Sequence, residues 1–191
     1  KIASNDLITL AIKFVLSQHN HLILNDLAGK NFLVTGGSTS EKIDSARRIT
    51  NNSSGTMGLL FAQVARFRGA NVTYIHGPLK LDLKEGIKTI EIQTANDLSK
   101  VLKEEIDNCD YFIMNAAVTD IKFSKDIQSK IPKNELSQYF LNNLELVPDI
   151  LSDLGKLKKD NQLFIGFCAF TGDYENMKNI VNRKLDIKGC D

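Results

Sequence analysis

No apolar run in this chain of 191 residues approaches the roughly 18 consecutive residues that a membrane-spanning helix needs, so no membrane partner is expected. The start, Lys1-Ile-Ala-Ser-Asn-Asp6, lacks the layout of a signal peptide. It also lacks an initiator methionine, and the sequence reads as a piece of something longer. Cysteine is scarce. Cys109, Cys168 and Cys190 are odd in number and form neither a CxxC pair nor a zinc spacing, which points to reduced thiols and a cytoplasmic protein. Cys168 lies in an apolar, strand-like run and is expected to act as a small hydrophobe. Net charge is scarce too: at +1 the chain has no overall basic field, and no nucleic-acid partner is expected. His19 and His21 stand in a polar stretch with no adjacent Cys, Asp or Glu to complete a metal set, so the metal ligands remain unknown. The dinucleotide fingerprint GxGxxG is absent.

What is present is an alternation of short apolar runs with amphipathic stretches. Ser4 or Asn5 can cap a helix over residues 6–18, and residues 22–29 read as a connector. Strands are expected at 32–35, 71–75, 87–92, 111–114 and 163–169. Helices are expected at 55–68, with Met57, Leu60, Phe61, Val64 and Phe67 at helical spacing, at 95–106 behind Thr94 as N-cap, and at 173–184. Residues 121–143 show no clean period and read as a long loop. Strands separated by helices imply βαβ units, hence an α/β fold: a Rossmann-like, mostly parallel sheet flanked by helices in three layers. Ligands of such sheets bind outside the carboxyl ends of the strands, here Thr35-Gly-Gly37, Asn115-Ala-Ala117 and Ala169-Phe-Thr171.

Four segments carry candidate chemistry. Gly36-Gly37 permits a tight turn and close backbone approach. Asn51-Asn-Ser-Ser-Gly-Thr-Met-Gly58 opens a helix; Ser53 and Ser54 are good N-cap residues, Gly55 leaves its N–H unobstructed, and a helix N-terminus attracts anions. Arg47 and Arg48 lie just upstream and can supply a fork for a carboxylate or phosphate. Asn115-Ala-Ala-Val-Thr-Asp120 ends a strand in small residues, against which a planar group can lie, followed by an acid. Lys130-Ile-Pro-Lys133 places two lysines in the irregular segment, where they can neutralise developing phosphate charge. Each has a plainer reading as a turn, a capped helix or a solvated face.

Taken in order, these segments resemble the phosphopantothenate–cysteine ligase (phosphopantothenoylcysteine synthetase) family. The most specific part is Ile43-Asp-Ser-Ala-Arg-Arg-Ile-Thr-Asn-Asn-Ser-Ser-Gly-Thr-Met-Gly58. Gly69-Ala-Asn-Val-Thr73 with Gly77-Pro78, Ala116-Ala-Val with Asp120, Pro148-Asp-Ile-Leu151 and Gly166-Phe167 with Ala169 and Thr171 agree with it. The resemblance covers residues 27–191. It implies that residues 1–26 are an N-terminal helix and linker, the tail of a preceding flavin-dependent decarboxylase where one is fused, and that the family's domain continues past Asp191. It implies a ligase of coenzyme A biosynthesis that joins 4′-phosphopantothenate to cysteine through an acyl-cytidylate, converting CTP to CMP and pyrophosphate. Mg²⁺ would accompany CTP, FMN would belong only to a fused decarboxylase, and a homodimer or larger assembly is expected. By position, Asn51 and Lys130 would be catalytic. Arg47, Asn51, Ala116 and Ala117 would bind the acyl substrate. Gly37, Ser53, Gly55, Asp120, Lys130, Lys133 and Phe167 would bind the nucleotide.

The chain departs from the family pattern at Gly36-Gly-Ser-Thr39, at Thr56 and Phe170, where lysine and glutamate are usual, and at Pro132 in the lysine loop. Two alternatives stand beside this reading. A short-chain dehydrogenase is suggested by Val34-Thr-Gly-Gly37, Asn115-Ala-Ala117 and the Tyr174/Lys178 pair, but its glycine spacing and its serine are missing. A nucleotide-binding module that has lost its chemistry rests only on Thr56 and Phe170.

Overall fold

In the computed structural model, Ile8, Thr9, Ile12, residues 25–79 and residues 86–191 are described. Ile8, Thr9 and Ile12 are helical; the remainder of the expected 6–18 helix, with His19 and His21, lies outside the described residues.

The first apolar run becomes β1 (Asn31–Gly36), at the centre of a sheet whose other strands are β4 (Asn71–His76), β5 (Lys88–Glu91), β6 (Tyr111–Met114) and β9 (Leu163–Gly166). The spatial order is β5-β4-β1-β6-β9, and every neighbouring pair is parallel. Because side chains alternate across a strand, adjacent residues feed opposite faces. Val34, Val72, Tyr74 and Ile113 pack on one face with Leu59, Ala62 and Ala65 of α1 (Thr56–Phe67). Leu33, Ile75, Phe112, Met114 and Phe164 pack on the other with α2 (Ala95–Glu105) and α4 (Ile150–Gly155). The result is the expected three-layer α/β architecture.

Local chemistry explains the boundaries. Thr94 and Asp97 form a reciprocal capping box at the start of α2, as the sequence predicts. Helix α1 ends at Arg68, followed by Gly69 at φ 92°. Several expectations are corrected. The buried stripe of α1 is Gly58, Leu59, Ala62, Gln63 and Ala65, whereas Met57 is 54% exposed. Small residues face the sheet because α1 approaches it closely: a Cβ on Gly58 would stand 2.6 Å from Thr35 O and 2.9 Å from Gly36 Cα. The N-cap of α1 is Gly55 at φ 74°, with no side-chain cap. Ser53 Oγ instead accepts from Gly55 N–H at 3.4 Å and Ser54 Oγ from Thr56 N–H at 3.3 Å.

The last sheet strand stops at Gly166 rather than Ala169, because its partner β6 ends at Met114 in that register. Cys168 is therefore exposed rather than buried in the sheet. Finally, residues 121–143 are not one loop. They hold β7 (Ile121–Phe123), paired antiparallel with β8 (Leu144–Leu146), and α3 (Leu136–Asn143). A hairpin of β2 (Ser40–Lys42) and β3 (Arg48–Thr50) was likewise not foreseen. Helix α5 (Tyr174–Lys188) starts at Asp173, as expected, and runs further than residue 184.

Candidate functional site

The sheet order reverses between β1 and β6, and there the connections leave in opposite directions to open a crevice at the strands' carboxyl ends. Buried hydroxyls stitch its floor. Thr35 Oγ1 accepts from the N–H groups of Asn115 and Ala116, each at 3.0 Å. Gly37 O accepts from Ala117 N–H at 2.8 Å, and Ala117 O from Thr39 N–H at 3.2 Å. Thr39 Oγ1 accepts from Thr119 N–H at 2.9 Å. The small residues of Asn115-Ala-Ala-Val-Thr-Asp120 thus lie as a pinned ribbon along the loop after β1.

Asn51 follows β3 directly and reaches this ribbon: its Nδ2 donates to Val118 O at 2.8 Å. Beside it opens a cavity of about 640 Å³ lined by Asn51, Ala116, Ala117, Asp120 and Phe167 together with Pro148–Leu151, Cys168, Lys184 and Lys188. The structure therefore brings five of the sequence-predicted residues to one cavity. Phe167 is half-exposed at its wall, with its ring 5.4 Å from that of Phe61.

The other predicted residues stand outside that lining. Gly37 and Gly55 are buried against each other: a Cβ on Gly55 would lie 3.1 Å from Gly37 N and would collide with Leu79. They act as packing glycines between β1 and α1, and Gly55 O accepts from the buried Tyr74 hydroxyl at 3.2 Å. Burial pushes that phenol well above its usual range. Ser53 sits beside them at the start of α1. The Arg47 guanidinium does not stand free. It donates to Asp44 Oδ2 through Nε at 2.9 Å and Nη2 at 2.5 Å, and Nη2 also donates to Ile131 O at 2.7 Å. Lys130 and Lys133 are exposed on either side of the buried Ile131 and do not line the cavity.

Sequence reasoning missed several contributors. Lys184 and Lys188 project into the cavity from one face of α5; their i, i+4 spacing was the available signal. Lys184 Nζ lies 3.0 Å from Cys168 Sγ, and Lys188 Nζ lies 3.1 Å from Asp149 Oδ2. Asp149 also caps α4, accepting from Ser152 N–H at 3.1 Å. Glu41 is buried and accepts from Ala95 N–H at 2.7 Å, placing a carboxylate at the positive end of α2. Asp44 is almost fully buried, and the Arg47 guanidinium holds its carboxyl far below the usual carboxylate range.

Among the described residues no group of three or more His, Cys, Asp or Glu is arranged to hold a metal ion. Asp120 is the cavity carboxylate that forms no ion pair among the described residues. That carboxylate can supply one oxygen ligand to a hard cation.

The cavity's family can be read from comparisons. The model for the DNA/pantothenate metabolism flavoprotein C-terminal domain matches residues 27–191. The coenzyme A biosynthesis bifunctional protein CoaBC of Borreliella burgdorferi is 37% identical over 183 residues, covering 94% of this chain but 45% of that protein. The crystal structure of the C-terminal domain of a coenzyme A biosynthesis bifunctional protein CoaBC superposes with a TM-score of 0.73 at 35% identity, over 87% of this chain and 76% of that one. A Cab2 mutant in complex with phosphopantothenate-cysteine shares the fold at 20% identity and a TM-score of 0.66, over 100% of this chain and 79% of that one. The chain thus spans less than half the length of the curated relative.

Proposed function

Because the chain belongs to the DNA/pantothenate metabolism flavoprotein C-terminal domain family, we infer that it is a ligase that joins 4′-phosphopantothenate to cysteine in coenzyme A biosynthesis. The observation that carries this reading is the cavity at the β1/β6 switch point, which gathers Asn51, the Ala116–Ala117 ribbon, Asp120, Phe167, Lys184 and Lys188. An amide, a flat floor, an aromatic wall, a carboxylate and two ammonium groups suit an acyl–phosphate reaction between an acid and a nucleoside triphosphate.

The 4′-phosphopantothenate carboxylate attacks the α-phosphorus of CTP, the bond to the bridging oxygen breaks, and pyrophosphate leaves. The cysteine amine then attacks the acyl carbon, CMP leaves with the electron pair, and the amine's proton is lost to give the amide. No covalent enzyme nucleophile is needed. Both steps gather negative charge, and fixed cationic and N–H donors supply the stabilisation. Asn51 binds the acyl substrate, with its amide beside the reacting carbonyl and Ala116 and Ala117 beneath it, while Arg47, tied to Asp44 and Ile131, supports that site from outside the cavity. Gly37, Ser53 and Gly55 shape the phosphate end, Phe167 lies against the base, and Lys130 with Lys133 neutralises the leaving pyrophosphate. Lys184 and Lys188 supply the ammonium groups of the cavity itself. Asp120 would hold the Mg²⁺ that arrives with CTP and offsets triphosphate charge. The protein works as a cytoplasmic homodimer or larger assembly.

The test is pyrophosphate release in the presence of CTP, 4′-phosphopantothenate and cysteine. Release that needs all three is expected, with CTP giving a larger thermal shift than ATP in the presence of Mg²⁺. Release without the acid, or none at all, rejects the reading. A larger shift with ATP rejects the nucleotide choice alone.

A further inference from the structure

Asp44 is an acid with no free lone pair to spare. Its Oδ1 accepts from the N–H groups of Ala46 and Arg47 at 2.8 Å each. Its Oδ2 accepts from Arg47 Nε at 2.9 Å, Arg47 Nη2 at 2.5 Å and Ile131 N–H at 3.1 Å. The side chain is fully buried, so each of these bonds is worth more than it would be in water. The last one crosses 87 residues of sequence. Arg47 closes the arrangement from the other side by donating to Ile131 O at 2.7 Å. A single peptide-bearing residue, Ile131, is therefore held at its N–H by Asp44 and at its C=O by Arg47.

Both ends of this clamp lead to residues of the proposed chemistry. Arg47 is joined to Asn51 by the three residues of β3, and strand geometry sets that separation at ~13 Å with little give. Ile131 is joined directly to Lys130, and Pro132 restrains Ile131 to extended backbone. Below the clamp, Ile131 packs with Ile43 and Tyr139 in a small core that also includes Phe123, Ile127, Leu136 and Phe140.

We propose that Asp44 is a positioning residue: with Arg47 it fixes the segment that bears Lys130 relative to Asn51 before substrate arrives. The inference rests on the reading of Lys130 as a catalytic group.

The test uses the whole chain, with trypsin cleavage and kinetics side by side. In D44N an amide replaces the carboxylate, so the buried post loses its charge and part of its accepting capacity. Cleavage after Lys130 accelerates about tenfold or more, while cleavage after the distant, exposed Lys30 is unchanged. In the ligase assay kcat falls about 10²-fold, the usual cost of an ångström-scale misplacement, with KM for cysteine nearly constant. The double variant D44N/K130Q is no slower than K130Q alone, because a misplaced lysine and a missing one are equivalent. A merely structural acid would instead give losses that multiply. Should D44N fail to fold, R47K retains the charge but loses the fork on Asp44 and the donation to Ile131 O, and the same rise in cleavage after Lys130 is expected. Unchanged cleavage there, or multiplying losses, overturns the proposal. Wild-type turnover in K130Q overturns the assignment of Lys130 itself, and the cleavage rate alone then decides whether Asp44 holds the segment.

Discussion

At the scale of single residues, Asn51 carries the sharpest expectation. Its Nδ2 donation to Val118 O joins the end of the β2–β3 hairpin to the alanine ribbon. In N51D that donor becomes a second acceptor facing a carbonyl oxygen, and a negative charge enters the space where the proposed reaction places an acyl phosphate. Product formation falls by about 10²–10³, the range seen when a single positioned donor is lost. A rate within about threefold of the parent would remove Asn51 from the chemistry. The sequence led to five residues that line the cavity: Ala116, Ala117, Asp120 and Phe167 follow the carboxyl ends of sheet strands, where this class of sheet binds ligands, and Asn51 follows the hairpin strand β3. It left Asp44 and Glu41 obscure. An acid in a polar stretch looks solvated until the distant backbone that it caps, Ile131 or Ala95, is folded against it.

At the scale of elements, local signals did best where they were self-contained. Thr94 and Asp97 bond reciprocally and otherwise only to their sequence neighbours Gln93 and Leu98, so the start of α2 could be read from a few adjacent residues. T94A is expected to cost about 1 kcal/mol, measured as a lower urea midpoint at constant slope, with ligase turnover within about twofold because Thr94 does not line the cavity. No shift in midpoint would mean that Glu41 alone satisfies the helix start. The short antiparallel pairs were illegible for the opposite reason. Strands of three residues, such as β2, β3, β7 and β8, are too short to show alternation, and β7 finds its partner only after α3 has intervened. The buried stripe of α1 was misread because Gly58, Ala62 and Ala65 are small: the close approach of helix to sheet, rather than bulk, chose the inward face.

At the scale of the whole molecule, carboxylates set the acid limit. Asp26, Asp44, Asp126, Asp153 and Asp191 are each lowered chiefly by a hydrogen bond from Arg68, Arg47, Lys42, Lys156 and Lys158 respectively, and Asp97 by the backbone N–H of Thr94. A depressed carboxylate stabilises the fold above its unfolded value and loses that contribution as pH falls through the folded one. Melting temperature should be flat between about pH 7 and pH 5 and fall below about pH 4. A rise on acidification would contradict this. Concentrated salt should mute the exposed pairs and spare the buried Asp44. The parallel five-stranded sheet and its two faces followed from the alternation of runs along the chain; the arm of residues 121–146 did not, since its stability is borrowed from the β2–β3 hairpin. That borrowing has a kinetic consequence. The small core of Ile43, Ile131 and Tyr139 shares no buried residue with the two cores of the sheet. It can therefore open by itself, as a separate cooperative unit of low free energy. Amide deuteration of β7, α3 and β8 should run ahead of that of β1 and β6 by orders of magnitude, and a bound nucleotide that engages Lys130 should slow the arm while leaving the sheet's exchange unchanged.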